Sequence, residues 1–149
     1  MKLKQLLISS MVGVTLFTTG SAVVANASTW YKGVPSFTKT VSFKSLWISN
    51  KKHDGAYSSY AFDNSAISQG SSTTTRSTKV LSYGMGGAAL LGRPYYRVMG
   101  NNTYEAKATL TVDGQYRRMI LKRVGKELKV SLYQNHKWSN QETYTLLKK

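Results

Sequence analysis

The chain has 149 residues, with 21 Lys and Arg against 6 Asp and Glu, a formal net charge of +15 and no cysteine. The absence of cysteine excludes disulfide staples, a thiol nucleophile and lipid attachment through an N-terminal cysteine. So positive a balance leaves the fold open but implies salt-dependent attraction to polyanions.

Lys2 and Lys4 precede an uncharged stretch from Leu6 to Ala25, which closes on Ala25-Asn26-Ala27. A positive start, an apolar middle and small residues one and three places before a cut are the parts of a secretory signal peptide. The sequence predicts cleavage after Ala27, making residues 1–27 the signal and residues 28–149 a single domain that starts at Ser28. The alternative is an uncleaved anchor. It is weakened by Ser9, Ser10, Thr15, Thr18, Thr19, Gly20 and Ser21, because a span needs about 20 predominantly apolar residues. Loss of Lys2 and Lys4 would take the net charge from +15 to +13. The expected product is a soluble monomer without a membrane span, secreted into the extracellular space or held at the cell wall.

After the cut, helical periodicity is almost absent and apolar residues tend to alternate. Phe37, Val41, Phe43 and Trp47 share one parity within residues 36–48, which predicts a strand with one buried face. Residues 57–63 and 79–83 are further strand candidates. The polar, low-complexity stretch at 68–78, SQGSSTTTRST, reads as a loop. Residues 84–94, GMGGAALLGRP, read as a glycine-rich connection, and residues 95–99 as a strand.

The C-terminal half is more regular. Asp113-Gly114 suits a two-residue type I′ turn, and Gly125-Lys126 supplies a second turn. Counting outward from the first sets Leu110 opposite Arg117, Ala108 opposite Met119 and Ala106 opposite Leu121. Counting from the second sets Leu121 opposite Val130 and Met119 opposite Leu132. One face of this three-strand meander then collects Ala106, Ala108, Leu110, Met119, Leu121, Leu128, Val130 and Leu132. The other collects Lys107, Thr109, Arg118, Ile120, Lys122, Lys129, Ser131 and Tyr133. In this register Lys122 faces Lys129, and Glu105 faces Lys122 and offers partial relief. A polar loop, QNHKWSNQ at 134–141, leads to a last strand around 142–147. Several short antiparallel strands in one domain predict an all-β fold, a small barrel or sandwich. A barrel is favoured because closure removes exposed edges.

Lys107, Arg118, Lys122 and Lys129, with Tyr133 beside them, form the candidate polyanion-binding face; the competing reading is an ordinary solvated face. Most of the aromatic residues are expected in the core. Trp138, beside His136 and Lys137 in the polar loop, is the candidate exposed aromatic contact. GMGGAA fits G-x-G-x-x-A from Gly84, but Gly92-Arg93-Pro94 leaves no room for the helix that a dinucleotide fingerprint needs. His53 and His136 are the two histidines. Neither belongs to a metal-ligand motif, and a catalytic pair of a histidine with Glu105 is left open. No catalytic residue, metal or cofactor is assigned.

The segment TWYKGVP, followed by Trp47, resembles the start of small exported proteins of lactobacilli and related Gram-positive bacteria. Those open with W-x-K-G-x-P soon after the signal peptide, matched here by Trp30, Lys32, Gly33 and Pro35. Ser36-Phe37 departs from the basic and then small residue usual there. The resemblance implies export from a Gram-positive cell and a small β-fold, and no catalytic residues.

The function expected from the sequence is binding of anionic envelope or extracellular polymers without catalysis. Teichoic acid, acidic polysaccharide, anionic lipid surfaces and extracellular nucleic acid are the candidate partners. The alternatives are a barrel carrying a small apolar ligand, a small secreted hydrolase or nuclease, and an antimicrobial cationic protein.

Overall fold

In the computed structural model the described residues are 29–41, 44–72 and 89–148. The expected signal, the strand at 79–83, Phe43, and residues 73–78 and 84–88 lie outside them. The strands are β1 (Tyr31–Lys32), β2 (Ser45–Ser49), β3 (Tyr57–Phe62), β4 (Ala66–Ser72), β5 (Ala89–Gly100), β6 (Thr103–Leu110), β7 (Tyr116–Val124), β8 (Glu127–Gln134), β9 (Lys137–Trp138) and β10 (Glu142–Lys148). They pair in the order β5-β4-β3-β2-β10-β8-β7-β6, and β6 pairs back with β5. The result is a closed antiparallel eight-stranded barrel, with β1 and β9 as extra strands. The barrel form of the expected all-β fold is therefore the one observed.

Alternation along each strand sends one side chain in and the next out. Trp47, Tyr60, Phe62, Ile67, Leu91, Ala106, Ala108, Met119, Leu121, Leu128, Val130 and Tyr144 form a buried inner cluster. It contains most of the apolar face deduced for the meander, and Leu110 and Leu132 pack at its margin. Val34 and Phe37, from the segment before β2, pack on the same cluster. Leu46 and Ile48 make a smaller buried cluster with Tyr57, Ala61 and Leu147 on the other side of β2.

Among the described residues, four two-residue turns begin on a positive φ. Asp54-Gly55, between paired His53 and Ala56, has positive φ at both positions (51° and 80°). Asn101-Asn102, between Gly100 and Thr103, and Asn135-His136, between Gln134 and Lys137, do the same. That is the type I′ requirement, and Asn and Asp are the non-glycine residues that tolerate it best. Gly125 (φ 58°) opens the fourth, between Val124 and Glu127.

Several expectations need correction. The turn at Asp113-Gly114 is not a two-residue turn: Leu110 N–H donates to Gln115 O (2.9 Å), and Asp113 Oδ1 accepts from Gln115 N–H (2.8 Å). Thr111 is drawn away to β5, its N–H and hydroxyl both donating to Leu90 O (3.0 Å each). The longer loop shifts the register by two residues, so Ala106 faces Met119, Ala108 faces Arg117 and Lys107 faces Arg118. A shift of two preserves the faces, which is why the deduced core side survives. Glu105 consequently faces Ile120, and Lys122 faces Thr103. The second turn has the expected register, with Leu121 opposite Val130 and Lys122 opposite Lys129.

Residues 36–48 are not one strand. Pro35 enters a 3-10 turn at Ser36–Thr38, closed by Thr38 N–H and Oγ1 donating to Pro35 O (3.0 and 2.7 Å). Val41 is exposed, so its shared parity with Trp47 was incidental. Residues 68–72, read as loop, belong to β4, where Ile67 points inward and the polar Gln69 and Ser71 follow it on the same parity. Residues 89–94, read as a connection, are the first half of β5. Lys137–Trp138, placed in a loop, is a strand folded back on β8.

Candidate functional site

The outer face of β5 to β9 is built by register. Lys32 faces Tyr95, Tyr95 faces Lys107, Lys107 faces Arg118, and Tyr133 faces Trp138. Arg118 closes the gap between β7 and β8, its guanidinium 4.9 Å from the Tyr133 ring centroid and 5.3 Å from that of Trp138. Six side chains, three cationic and three aromatic, thus run across six neighbouring strands. At about 4.8 Å per strand the row spans roughly 24 Å.

β5 contributes to this face because of a bulge. Leu91 points into the barrel, so simple alternation would send Tyr95 and Arg97 inward too. Between Gly92 and Tyr95 the pairing with β6 slips by one residue, with Arg93 at φ 52° and Pro94 lacking an N–H to donate. The slip turns Tyr95 and Arg97 outward, as bulges do when they re-aim side chains.

Next to this row lies a charged centre. Glu105 is 1% exposed although it stands on the outer face. Its Oε2 accepts from Arg97 Nε (2.8 Å) and its Oε1 from Arg118 Nε (2.8 Å), and each arginine adds an Nη2 contact to the same oxygen. Trp30 covers the centre, with its ring centroid 5.0 Å from the Arg97 guanidinium and 4.1 Å from Lys107 Nζ. Further along, Lys122 and Lys129 face one another, both half-buried, with Thr103 and Thr143 on the outer strands of that row. Like charges directly opposite are unfavourable, and a bound anion would relieve them.

The structure therefore brings Lys107, Arg118, Tyr133 and Trp138 together, with Lys122 and Lys129 about 13 Å along the strands from Arg118. Sequence reasoning missed Trp30, Lys32, Tyr95, Arg97 and the role of Glu105. The first four reach the site through the β1–β5 and β5–β6 pairings, whose register depends on the bulge. The Gly92-Arg93-Pro94 run was the available signal, since Pro inside a strand marks a bulge or an edge.

The N-terminal segment is held in place residue by residue. Gly33 N–H donates to Pro94 O (2.8 Å), and Gly33 sits at φ 99° where an added Cβ would lie 2.8 Å from Asn64 Oδ1. Val34 enters the core, and Thr38 O accepts from Trp47 Nε1 (2.8 Å). Trp30, Gly33 and Pro35 of the W-x-K-G-x-P segment thus anchor a strap across the barrel.

Elsewhere, a cleft of about 690 Å³ is lined by Asn50, His53, Glu127 and Glu142 among others. His53 Nε2 lies 3.2 Å from Glu142 Oε1, so its carboxylate partner is Glu142 rather than Glu105. Tyr144 OH (2.7 Å) and Ser58 Oγ (3.3 Å) also donate to Glu142. Ser58 is thus aligned with the carboxylate and not with the imidazole. A mouth of the barrel between Leu91, Leu110, Met119 and Leu132 offers about 80 Å³, below the roughly 300 Å³ at which small-molecule sites begin.

No family model, curated protein or solved structure matches this chain.

Proposed function

We propose that the protein is an exported cationic β-barrel that binds anionic polymers of the cell envelope or the extracellular space through the outer face of β5 to β9. The observation that carries this reading is the row Lys32–Tyr95–Lys107–Arg118–Tyr133–Trp138, which presents charge and ring surface along one line. Lysine and arginine supply attraction that weakens with salt. The rings fix the guanidinium of Arg118 through cation–π contact, which lowers the ordering cost of binding. Teichoic acid and acidic polysaccharide are the partners this line of charge suits best.

The test compares the wild type with a variant in which Lys107, Arg118, Lys122 and Lys129 become Gln, and with the Lys107, Lys122 and Lys129 triple variant, which leaves Arg118 on Glu105. Binding to purified teichoic acid is measured over graded salt. Both variants should bind at least 10-fold more weakly and with a flatter salt dependence. Unchanged binding rejects this face. Graded salt washing of host cells, with the N-terminus read by mass spectrometry, tests the setting. A chain starting at Ser28 and leaving the cells as salt rises supports it; one wholly free at low salt overturns it.

A further inference from the structure

Beside the cationic row lies a pocket of about 370 Å³, lined by Trp30, Arg97, Glu105, Lys107, Tyr116 and Arg118. Its floor is costly in electrostatic terms. A carboxylate buried under two arginines is weak support for a fold, since an apolar cluster would serve as well. What this arrangement does achieve is to fix two guanidinium groups.

Each arginine spends its Nε edge on Glu105. A guanidinium has five N–H donors in a rigid fork, so the far edge of each remains free to donate. The faces are also held. Arg97 lies against Trp30, and Arg118 lies against Tyr133 and Trp138. Lys107 joins them from the Trp30 side. Three cations against one carboxylate leave the pocket with an excess of two positive charges. Tyr116 is 68% exposed on its rim, a ring open to solvent at the edge of this anion-seeking centre. The volume is near the lower end for small-molecule sites, enough for one unit of a polymer.

We infer that this pocket takes one acidic sugar or polyol unit: an oxyanion held by the free edges of Arg97 and Arg118 and by Lys107, on a hydroxyl-bearing body that lies against Tyr116. The inference rests on the polymer-binding reading above and names the unit recognised. Glu105 is a positioning residue, since it acts by orienting the two arginines.

The test titrates a glycerol phosphate trimer, a galacturonate trimer, glycerol, galactose and inorganic phosphate by calorimetry, with purified teichoic acid and polygalacturonate as the long polymers. The proteins are the wild type, Tyr116→Ala, Glu105→Gln and, as a control for charge loss elsewhere, Lys51→Gln. One of the acidic trimers should bind one-to-one, at least 10-fold more weakly in Tyr116→Ala and Glu105→Gln and unchanged in Lys51→Gln. The better trimer tells a phosphodiester from a carboxylate source. Tyr116 is exposed, so its variant stays informative should Glu105→Gln fail to fold. Equal binding of glycerol or galactose overturns the oxyanion, and equal binding of inorganic phosphate overturns the sugar or polyol body. Trimers that fail to bind, or bind equally to Tyr116→Ala, while the long polymers still bind, overturn the pocket and leave the polymer reading standing. If no long polymer binds either, the polymer reading itself fails.

Discussion

Lys107 Nζ sits 4.1 Å from the centroid of the Trp30 ring, joining the N-terminal strap to the middle of β6. Arg97 shares the same ring at 5.0 Å. Trp30→Ala removes both cation–π contacts, at about 0.5–1 kcal/mol each. Urea unfolding should show a loss of roughly 1–2 kcal/mol for the alanine variant and much less for Trp30→Phe, which keeps a ring. Equal losses would mean that the ring's interaction with the cations is not what holds the strap.

Glu105 is the hinge of the charged centre. Glu105→Gln removes the charge both arginines share, keeps an acceptor oxygen for one of them and sets an amide NH2 donor against the other, and should cost roughly 1–3 kcal/mol. The arginines are partly exposed and recover some solvation, which keeps the figure below that of a fully buried pair. In a double-mutant cycle with Arg97→Gln the two changes should cost less together than the sum of each alone, because they remove one interaction. Strict additivity would contradict the geometry described.

Gly33 combines a positive φ with a close approach to Asn64. Gly33→Ala should destabilise by about 1–2 kcal/mol through the backbone alone. Asn64→Ala in the same chain should recover little, because the Asn64 amide can already swing aside while the φ strain remains. Full recovery would shift the cause from backbone to contact.

Asp63 closes the β3–β4 turn. Partial burial pushes its carboxyl up, but the Ser65 hydroxyl and the N–H groups of Ser65 and Ala66 donate to Oδ1, outweigh this and hold it below the usual carboxylate value. A folded-state value below the unfolded one means that ionised Asp63 favours the fold. Its contribution is complete above pH about 4 and is lost as pH falls through the depressed value. Asp63→Asn should therefore be less stable than the wild type at neutral pH, with the gap closing in acid. A gap that persists at low pH would assign the effect to turn geometry instead of charge.

Tyr60 and Tyr144 titrate in the opposite range. Burial pushes both phenols well above the ordinary tyrosine value; the Glu142 charge adds to this for Tyr60, and Tyr60 adds to it for Tyr144. Raised folded-state values give stability that is complete below pH about 10 and declines above it. Ultraviolet titration should find two of the ten tyrosines silent until the barrel unfolds in alkali. Smooth titration of all ten in the folded protein would contradict their burial.

The alternation of residues 106–110, 119–121 and 128–132 gave the core face, and a turn misjudged by two residues left that face intact. Asp113-Gly114 and Asp54-Gly55 are the same dipeptide, yet Asp54-Gly55 is the one that makes the type I′ turn, because Thr111 is claimed by Leu90 of the neighbouring strand β5. Asn101-Asn102 carried a turn signal of its own in two consecutive residues tolerant of positive φ. β4 was hidden because the inward row that starts at Ile67 continues with Gln69 and Ser71, so its strand character comes from β3 and β5 on either side. The site divides the same way. Lys107, Arg118, Tyr133 and Trp138 were legible from local alternation. Trp30, Arg97 and Glu105 meet through long-range pairing, which no local pattern encodes.

The pairing of β2 with β10 sets Ile48 opposite Thr145 and Trp47 opposite Leu146. The two strands lie almost a whole domain apart in sequence. In a chain that emerges from its N-terminal end, β2 can acquire β3 early, but its second edge waits for β10. Until then the nascent sheet carries an open strand with a free row of N–H and C=O groups, the kind of edge that recruits other chains. Closing so long a loop costs entropy before any contact repays it, so folding should be slow and should reach completion in one late step. Synthesis of this barrel therefore has an interval of vulnerability that ends only when Glu142–Lys148 is free to dock.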